Sequence, residues 1–317
     1  MMLSKLLGRS EAVAVIGLVL LVVYFSATAG EAWNTNLPSL LRDISWLGMV
    51  VIGTAMVIIC GEFDLSVGSV YAFVSMIFLV LMKTSLGVTG AFLVSMALSA
   101  AIGWFNGWLT WHYKLPSLLV TLGFLFLYRG LVEYVTGGVT MSIPDELRSS
   151  PILTFLGGKF LGMHVSIYLC AVLVLIFTVI LTKTQFGSHV LAVGGDVNAA
   201  LATGVPVGRV KIRTFVISSM LAGFAGITTA ASLSSVSTTT ATSMEFEAIA
   251  ATVIGGVALT GGAGSIWGAI LGVATLLALK SGMILTGVNI FTYQILLGAI
   301  LVGLVSVRAI IPNFVRL

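Results

Sequence analysis

Apolar runs of about 20 residues recur along this sequence, and their length decides what the chain can fold into, because a helix of that length crosses roughly 30 Å of hydrocarbon. The runs lie near 11–29, 39–60, 66–83, 88–112, 117–136, 164–183, 213–234, 246–261, 265–285 and 289–308. Only 8% of the residues are charged and 58% are hydrophobic, with a mean hydropathy of +1.15, whereas an ordinary soluble domain carries about 25% charge. The expected fold class is therefore an all-α polytopic membrane protein with about ten transmembrane helices. A barrel, the other spanning solution, would show short alternating segments in place of continuous runs.

Charge then sets the topology. The net charge of +4 is scattered over short loops, without a basic stripe, so the partner it implies is a lipid bilayer and not nucleic acid. An even number of crossings puts both ends on one side, and Lys5, Arg9, Arg308 and Arg316 assign that side to the cytoplasm. Lys114, Arg209 and Lys211 fall on the same side and the loop 137–163 on the other; Lys83 runs against the rule. Residues 1–30 share features with a secretory signal, including the small-residue stretch SATAG, but are read as a retained first helix. Cys60 and Cys170, both inside apolar runs, read as buried thiols and not as a disulfide.

Two runs are interrupted. The run 246–261 is short for a span and is followed by TGGAGSIWG at 260–268, so it reads either as a crossing or as a re-entrant segment. GEFDLSVG at 61–68 breaks another, and GSVY at 68–71 lies over GSIW at 264–267 at an offset of 196 residues. This is either a faint repeat, as in transporters with paired broken helices, or a chance likeness of two glycine-rich breaks. Trp104, Trp108 and Trp111, spaced four and three, predict one aromatic helix face at a membrane boundary.

The sequence offers no catalytic constellation. It lacks a phosphate-binding G-x-x-x-x-G-K-[ST] loop and an H-E-x-x-H pair, and His112, His164 and His189 are far apart, so neither a metal nor a cofactor is expected. Polar groups inside apolar runs are more informative, since a carboxylate at membrane depth faces a cavity or the bundle interior. Glu62 and Asp64 fit a polar passage, a cap for the helix starting near Ser66, or both; Glu245 and Glu247 at another helix start carry the same ambiguity. Asn106 needs a partner on a neighbouring helix or in the pathway. Arg129 and Glu133, four apart, predict an ion pair along one helix face. The translocation-pathway candidates are thus Asp64, Asn106, Glu245 and Glu62.

Five segments, in order, resemble the permease subunits of ribose-type ATP-binding cassette (ABC) importers. They are GEFDLSVG at 61–68, GWFNGWL at 103–109, KLPSLLVTLG at 114–123 with RGL at 129–131, TQFGSHVLAVGGDVNAALATGV at 184–205, and MEFEAIAATVIGGVALTGGAGSIWGAILG at 244–272. The resemblance implies a bundle similar to type II importer permeases, here a single transmembrane permease domain over 1–317 with a cytoplasmic coupling loop at about 184–212. It also implies a bacterial inner membrane, a cassette ATPase subunit, a periplasmic solute-binding protein, a second permease copy and a monosaccharide-like substrate. NAALATG at 198–204 resembles the family's E-A-A-x-x-x-G segment with Asn198 in the glutamate position, which makes Asn198, Ala199, Ala200 and Gly204 the ATPase-coupling candidates. On that reading the small side chains of Ala199, Ala200 and Ala202 form a short helix that enters an ATPase groove, and Gly204 ends it in the left-handed conformation. Asp196, where asparagine is common, and Ser188, where arginine is common, depart from the family pattern. A secondary, ion-coupled transporter is the competing expectation, because broken helices and intramembrane carboxylates suit it too.

Overall fold

The computed structural model describes residues 10–314, and over them the chain forms 14 helices and two short strand pairs. The terminal charges Lys5, Arg9 and Arg316 lie outside the described residues. The helices are α1 (Ser10–Thr28), α2 (Glu31–Ile59), α3 (Val67–Leu81), α4 (Gly87–His112), α5 (Ser117–Thr136), α6 (Asp145–Arg148) and α7 (Pro151–Gly157). They continue with α8 (Val165–Lys183), α9 (Gln185–Gly195), α10 (Val197–Ala202), α11 (Val207–Leu233), α12 (Met244–Ile254), α13 (Ile266–Leu285) and α14 (Ile290–Phe314). Among the described residues six are long and apolar enough to cross a membrane: α2, α4, α5, α8, α11 and α13.

Each of the ten apolar runs becomes a helix, but two are too short for an ordinary crossing. Helix α3 has 15 residues and α12 only 11, about 22 Å and 16 Å at 1.5 Å per residue. The run 246–261 is therefore not one continuous span. It is helical to Ile254 and then breaks, because Gly255, Gly256, Gly261, Gly262 and Gly264 let the backbone turn into α13. Helices α12 and α13 form an antiparallel hairpin whose backbones nearly touch: a Cβ on Gly255 would lie 2.7 Å from Ala269 Cα, and one on Gly272 would lie 2.8 Å from Ala251 C.

Helix α2 runs through the centre. Every residue from Ser45 to Cys60 is buried, as expected for a helix that is apolar on all sides and enclosed by α8, α11, α12 and α13. Small residues allow this density, since between apolar helices contact comes from close backbone approach. A Cβ added at Gly53, Gly103 or Gly107 would sit 2.6–2.7 Å from backbone atoms of α11. Helix α5 is the opposite case, a peripheral helix with Leu119, Phe126 and Tyr134 exposed on one side.

The two breaks meet. The N–H of Gly262 donates to the carbonyl of Ile59 at 2.9 Å, and Gly194 of α9 is wedged against both, so that any side chain there would strike the Ile59 carbonyl and the Gly262 amide. At the other end of the bundle two loops are tied by strand pairing, β1 (Met141–Ser142) with β4 (Ser235–Val236), while β2 (Lys159–Phe160) and β3 (Met163–His164) close a small hairpin.

Candidate functional site

The break after α2 carries its polar groups into the interior, where water cannot satisfy them, so each backbone donor must find a protein partner. Ser117 and Thr121, one turn apart at the start of α5, supply two: the Phe63 N–H donates to Ser117 Oγ at 3.1 Å and the Leu65 N–H to Thr121 Oγ1 at 3.0 Å. Asp64 supplies the third, accepting the Ser66 N–H at 3.0 Å. The same carboxylate accepts from Ser66 Oγ at 2.6 Å and from Ser218 Oγ of α11 at 3.1 Å, and Asn106 Nδ2 of α4 donates to Ser66 Oγ at 3.0 Å. Asp64, Ser66, Asn106 and Ser218 are all at most 1% exposed. Two of the sequence candidates, Asp64 and Asn106, thus belong to one network that pins the break between α4 and α11. The Oδ1 of Asn106 has no partner among the described residues.

Glu62 lies outside this network. It forms an ion pair with Lys211 at the start of α11, with both side chains mostly buried. The Lys211 ammonium also sits 6.0 Å over the Trp111 ring. The expected tryptophan face divides accordingly: Trp104, Trp108 and His112 stack in series with centroids 5.9 and 5.2 Å apart, whereas Trp111 packs on Gly208 and Lys211.

Glu245 occupies the first turn of α12 beside Gly68 of α3. It lines a cavity of about 440 Å³ with Ser69, Arg129, Thr238, Thr239 and Thr242. Arg129 does not pair with Glu133 as its spacing predicts; its guanidinium donates to the carbonyls of Thr238, Thr240 and Ala241 at 3.1, 2.9 and 3.2 Å. The reason is the turn-rich segment 237–243, which brings three backbone carbonyls to α5, where the planar fork of guanidinium donors engages them in place of the Glu133 carboxylate. Glu245 is 5% exposed and its Oε2 has no partner among the described residues.

A second cavity, of about 520 Å³, opens between α2, α12 and α13. Its polar wall includes Arg42, Asp43, Glu247 and Lys280, joined as Arg42–Asp43 at 3.1 Å and Lys280–Glu247 at 2.8 Å. Sequence reasoning passed over Arg42, Asp43 and Lys280, although the signal was present: all three are charges inside apolar runs.

In the segment 184–212, Asp196 caps α10 by accepting from the N–H groups of Asn198 and Ala199 at 2.8 and 3.0 Å. Gly204 follows with φ 79°. Asn198, Ala199, Leu201 and Ala202 are exposed, but Ala200 is 3% exposed and packs inward. Ala200 therefore packs α10 onto the bundle, while Asn198, Ala199, Leu201 and Ala202 make up its outward surface.

The family described as Branched-chain amino acid transport system / permease component matches residues 36–305. The chain belongs to that family. It is 35% identical over 299 residues to the probable ABC transporter permease protein YphD of Escherichia coli strain K12, covering 94% of this chain and 89% of that protein. It is 34% identical over 301 residues to the L-arabinose ABC transporter permease protein AraH of Azospirillum brasilense, covering 94% and 86%. To the Autoinducer 2 import system permease protein LsrC of Salmonella typhi it is 31% identical over 304 residues, covering 95% and 86%. No solved structure gives a significant match. As a member of this permease family the chain is a multi-pass inner-membrane transport component and not an enzyme, and it works with ATPase and binding-protein partners.

Proposed function

We propose that this permease forms the translocation pathway for a monosaccharide or a related small polar solute, delivered by a periplasmic binding protein and driven by a cassette ATPase. The observation that carries this reading is the cavity of about 440 Å³ between α3, α5 and α12, beside the exposed α5 face, whose largely apolar wall carries the hydroxyls of Ser69, Thr238, Thr239, Thr242 and Ser243. Serine and threonine hydroxyls each donate one hydrogen bond and accept others, and so match the hydroxyls of a neutral solute. The names of similar permeases support the same solute class, L-arabinose for AraH and autoinducer 2 for LsrC. Glu245 borders the route in this reading; Asp64 and Asn106 lie beside it and hold the break that shapes it, and the Glu62–Lys211 pair braces its base.

The exposed apolar face of α5 is covered by the same face of a second permease copy, so that two such cavities confront each other. Both termini and the segment 184–212 lie in the cytoplasm, and the ATPase contacts α10 through Asn198, Ala199 and Leu201, with Gly204 ending the helix. Asp64 and Glu62 give the ion-coupled alternative no support, because both are engaged by fixed partners. The test is pentose uptake in proteoliposomes carrying Thr239→Val or Thr242→Val. Removal of either hydroxyl should lower uptake about fivefold, the equivalent of one neutral hydrogen bond, while the protein remains folded and bound to its ATPase. Parental uptake in both variants would place the route elsewhere.

A further inference from the structure

The cavity between α2, α12 and α13 has no part in the route proposed above. Its volume of about 520 Å³ falls in the range of small-molecule sites, which combine apolar walls with a few convergent polar groups. Leu40, Leu47, Leu277 and Leu285 form the apolar part. The charged groups are mutually compensated, Arg42 with Asp43 and Lys280 with Glu247, so a ligand of either net charge meets an opposing group as close as the attracting one. A neutral ligand does not.

The pairs also leave hydrogen-bonding capacity. A guanidinium has five donors and an ammonium three, and each carboxylate accepts at about four positions. Arg42 directs Nε and one terminal nitrogen to the same Asp43 oxygen, and Lys280 gives one bond to Glu247. On the same wall the indole N–H of Trp46 has no acceptor among the described residues, although the residue is only 7% exposed. An unpaired buried donor is costly, and a ligand hydroxyl that accepts from it removes the cost.

We infer that this cavity is a second solute site, which takes a neutral polyhydroxylated molecule of monosaccharide size. Asp43 and Glu247 accept from the ligand's hydroxyls, and Arg42, Lys280 and the Trp46 N–H donate to them. This inference rests on the sugar reading of the permease, and the two can fail separately. The site lies within one subunit, so it is complete without a second copy, whereas the α5 route is not.

The test uses the full chain in proteoliposomes, with L-arabinose, D-xylose and D-ribose as probes. Ser281, which lines this cavity and accepts from Asn36 Nδ2 at 2.7 Å, is replaced by cysteine and labelled with a cationic methanethiosulfonate. Thr239→Cys reports on the α5 cavity, and the parental chain, with Cys60 and Cys170 buried, gives the background. At least one pentose should slow labelling at position 281 in a saturable manner. Adding Trp46→Phe should raise its half-protecting concentration about fivefold, as expected for one lost hydrogen bond. Should Ser281→Cys label too slowly to follow, or elute as an aggregate, Asn36→Cys on the facing wall replaces it. Protection at 239 but not at 281 would overturn the second site and leave the sugar reading standing. Protection at neither position would overturn the second site, and pentose uptake by the assembled transporter would then decide the sugar reading on its own.

Discussion

Asp64 and Asn106 are coupled through one hydroxyl: Ser66 Oγ donates to the Asp64 carboxylate at 2.6 Å and accepts from the Asn106 amide at 3.0 Å. A bilayer-spanning bundle can tolerate an unwound segment only where its backbone is satisfied by protein, and Asp64, with Ser117 and Thr121, provides that for the N–H groups of Phe63, Leu65 and Ser66.

The first prediction follows from the number of donors that Asp64 serves. Asp64→Ala strands the Ser66 N–H, the Ser66 hydroxyl and the Ser218 hydroxyl in a dry interior, each at about 1–3 kcal/mol. Asn106→Ala removes one bond and also an amide oxygen that is itself unpaired, so it should cost less. Thermal unfolding in detergent and membrane abundance should both fall further for Asp64→Ala. Equal midpoints for the two variants would show that the carboxylate does not organise the break.

The Glu62–Lys211 pair is predicted to be energetically coupled, because both side chains are largely removed from solvent. Glu62→Gln and Lys211→Met should each destabilise the protein, and the double variant should recover part of the loss, with an interaction energy of about 1–3 kcal/mol. Additive single effects on the unfolding midpoint would reduce the pair to a surface-like contact.

Arg129 should not be replaceable by lysine. It holds the carbonyls of Thr238, Thr240 and Ala241 in the segment before α12, and a point charge cannot reproduce that fork. Arg129→Lys is expected to keep membrane abundance but loosen residues 237–243, seen as faster labelling of Thr239→Cys and lower uptake. Unchanged labelling would mean that the loop is held by its own turns.

Steric room sets the fourth prediction. Gly194→Ala places a methyl group against the Ile59 carbonyl and the Gly262 amide, both backbone atoms that cannot swing away. The folded yield should collapse, whereas Gly195→Ala, with nothing near its Cβ, should be tolerated. Equal yields would show that the two breaks separate freely.

The α10 surface gives the last substitution pair. Leu201→Glu alters an exposed position and should weaken co-purification of the ATPase while leaving the unfolding midpoint within about 0.5 kcal/mol of parental stability. Ala200→Glu buries a charge against the bundle and should destabilise the permease itself. If Leu201→Glu leaves ATPase binding intact, α10 is not the contact.

Much of the fold was legible because run length and helix length obey the same geometry, and the ten runs all became helices. The length of α12 was not: Gly255 and Gly256 end the helix, but apolar Val257, Ala258 and Leu259 carry the run on through the turn. The polar network was half legible. Asp64 and Asn106 stand out as polar residues in apolar surroundings, while Ser66 and Ser218 are unremarkable by composition and gain their role only from a neighbour 40 or 154 residues away. The Arg129–Glu133 expectation failed because helix periodicity reports which side chains share a face and is silent about a loop that docks there. Arg42, Asp43 and Lys280 carry the same signal as Asp64, a charge inside an apolar run, but only the fold brings residues 42, 43 and 280 to one cavity.

This permease is expected to move solute only when an ATPase drives it. The most direct measurement is radiolabelled pentose uptake by proteoliposomes containing the permease, with and without its ATPase, binding protein and ATP. Concentrative uptake is expected only with all components and ATP, unaffected by collapse of proton and sodium gradients. Concentrative uptake by the permease alone, abolished when those gradients are removed, would contradict it.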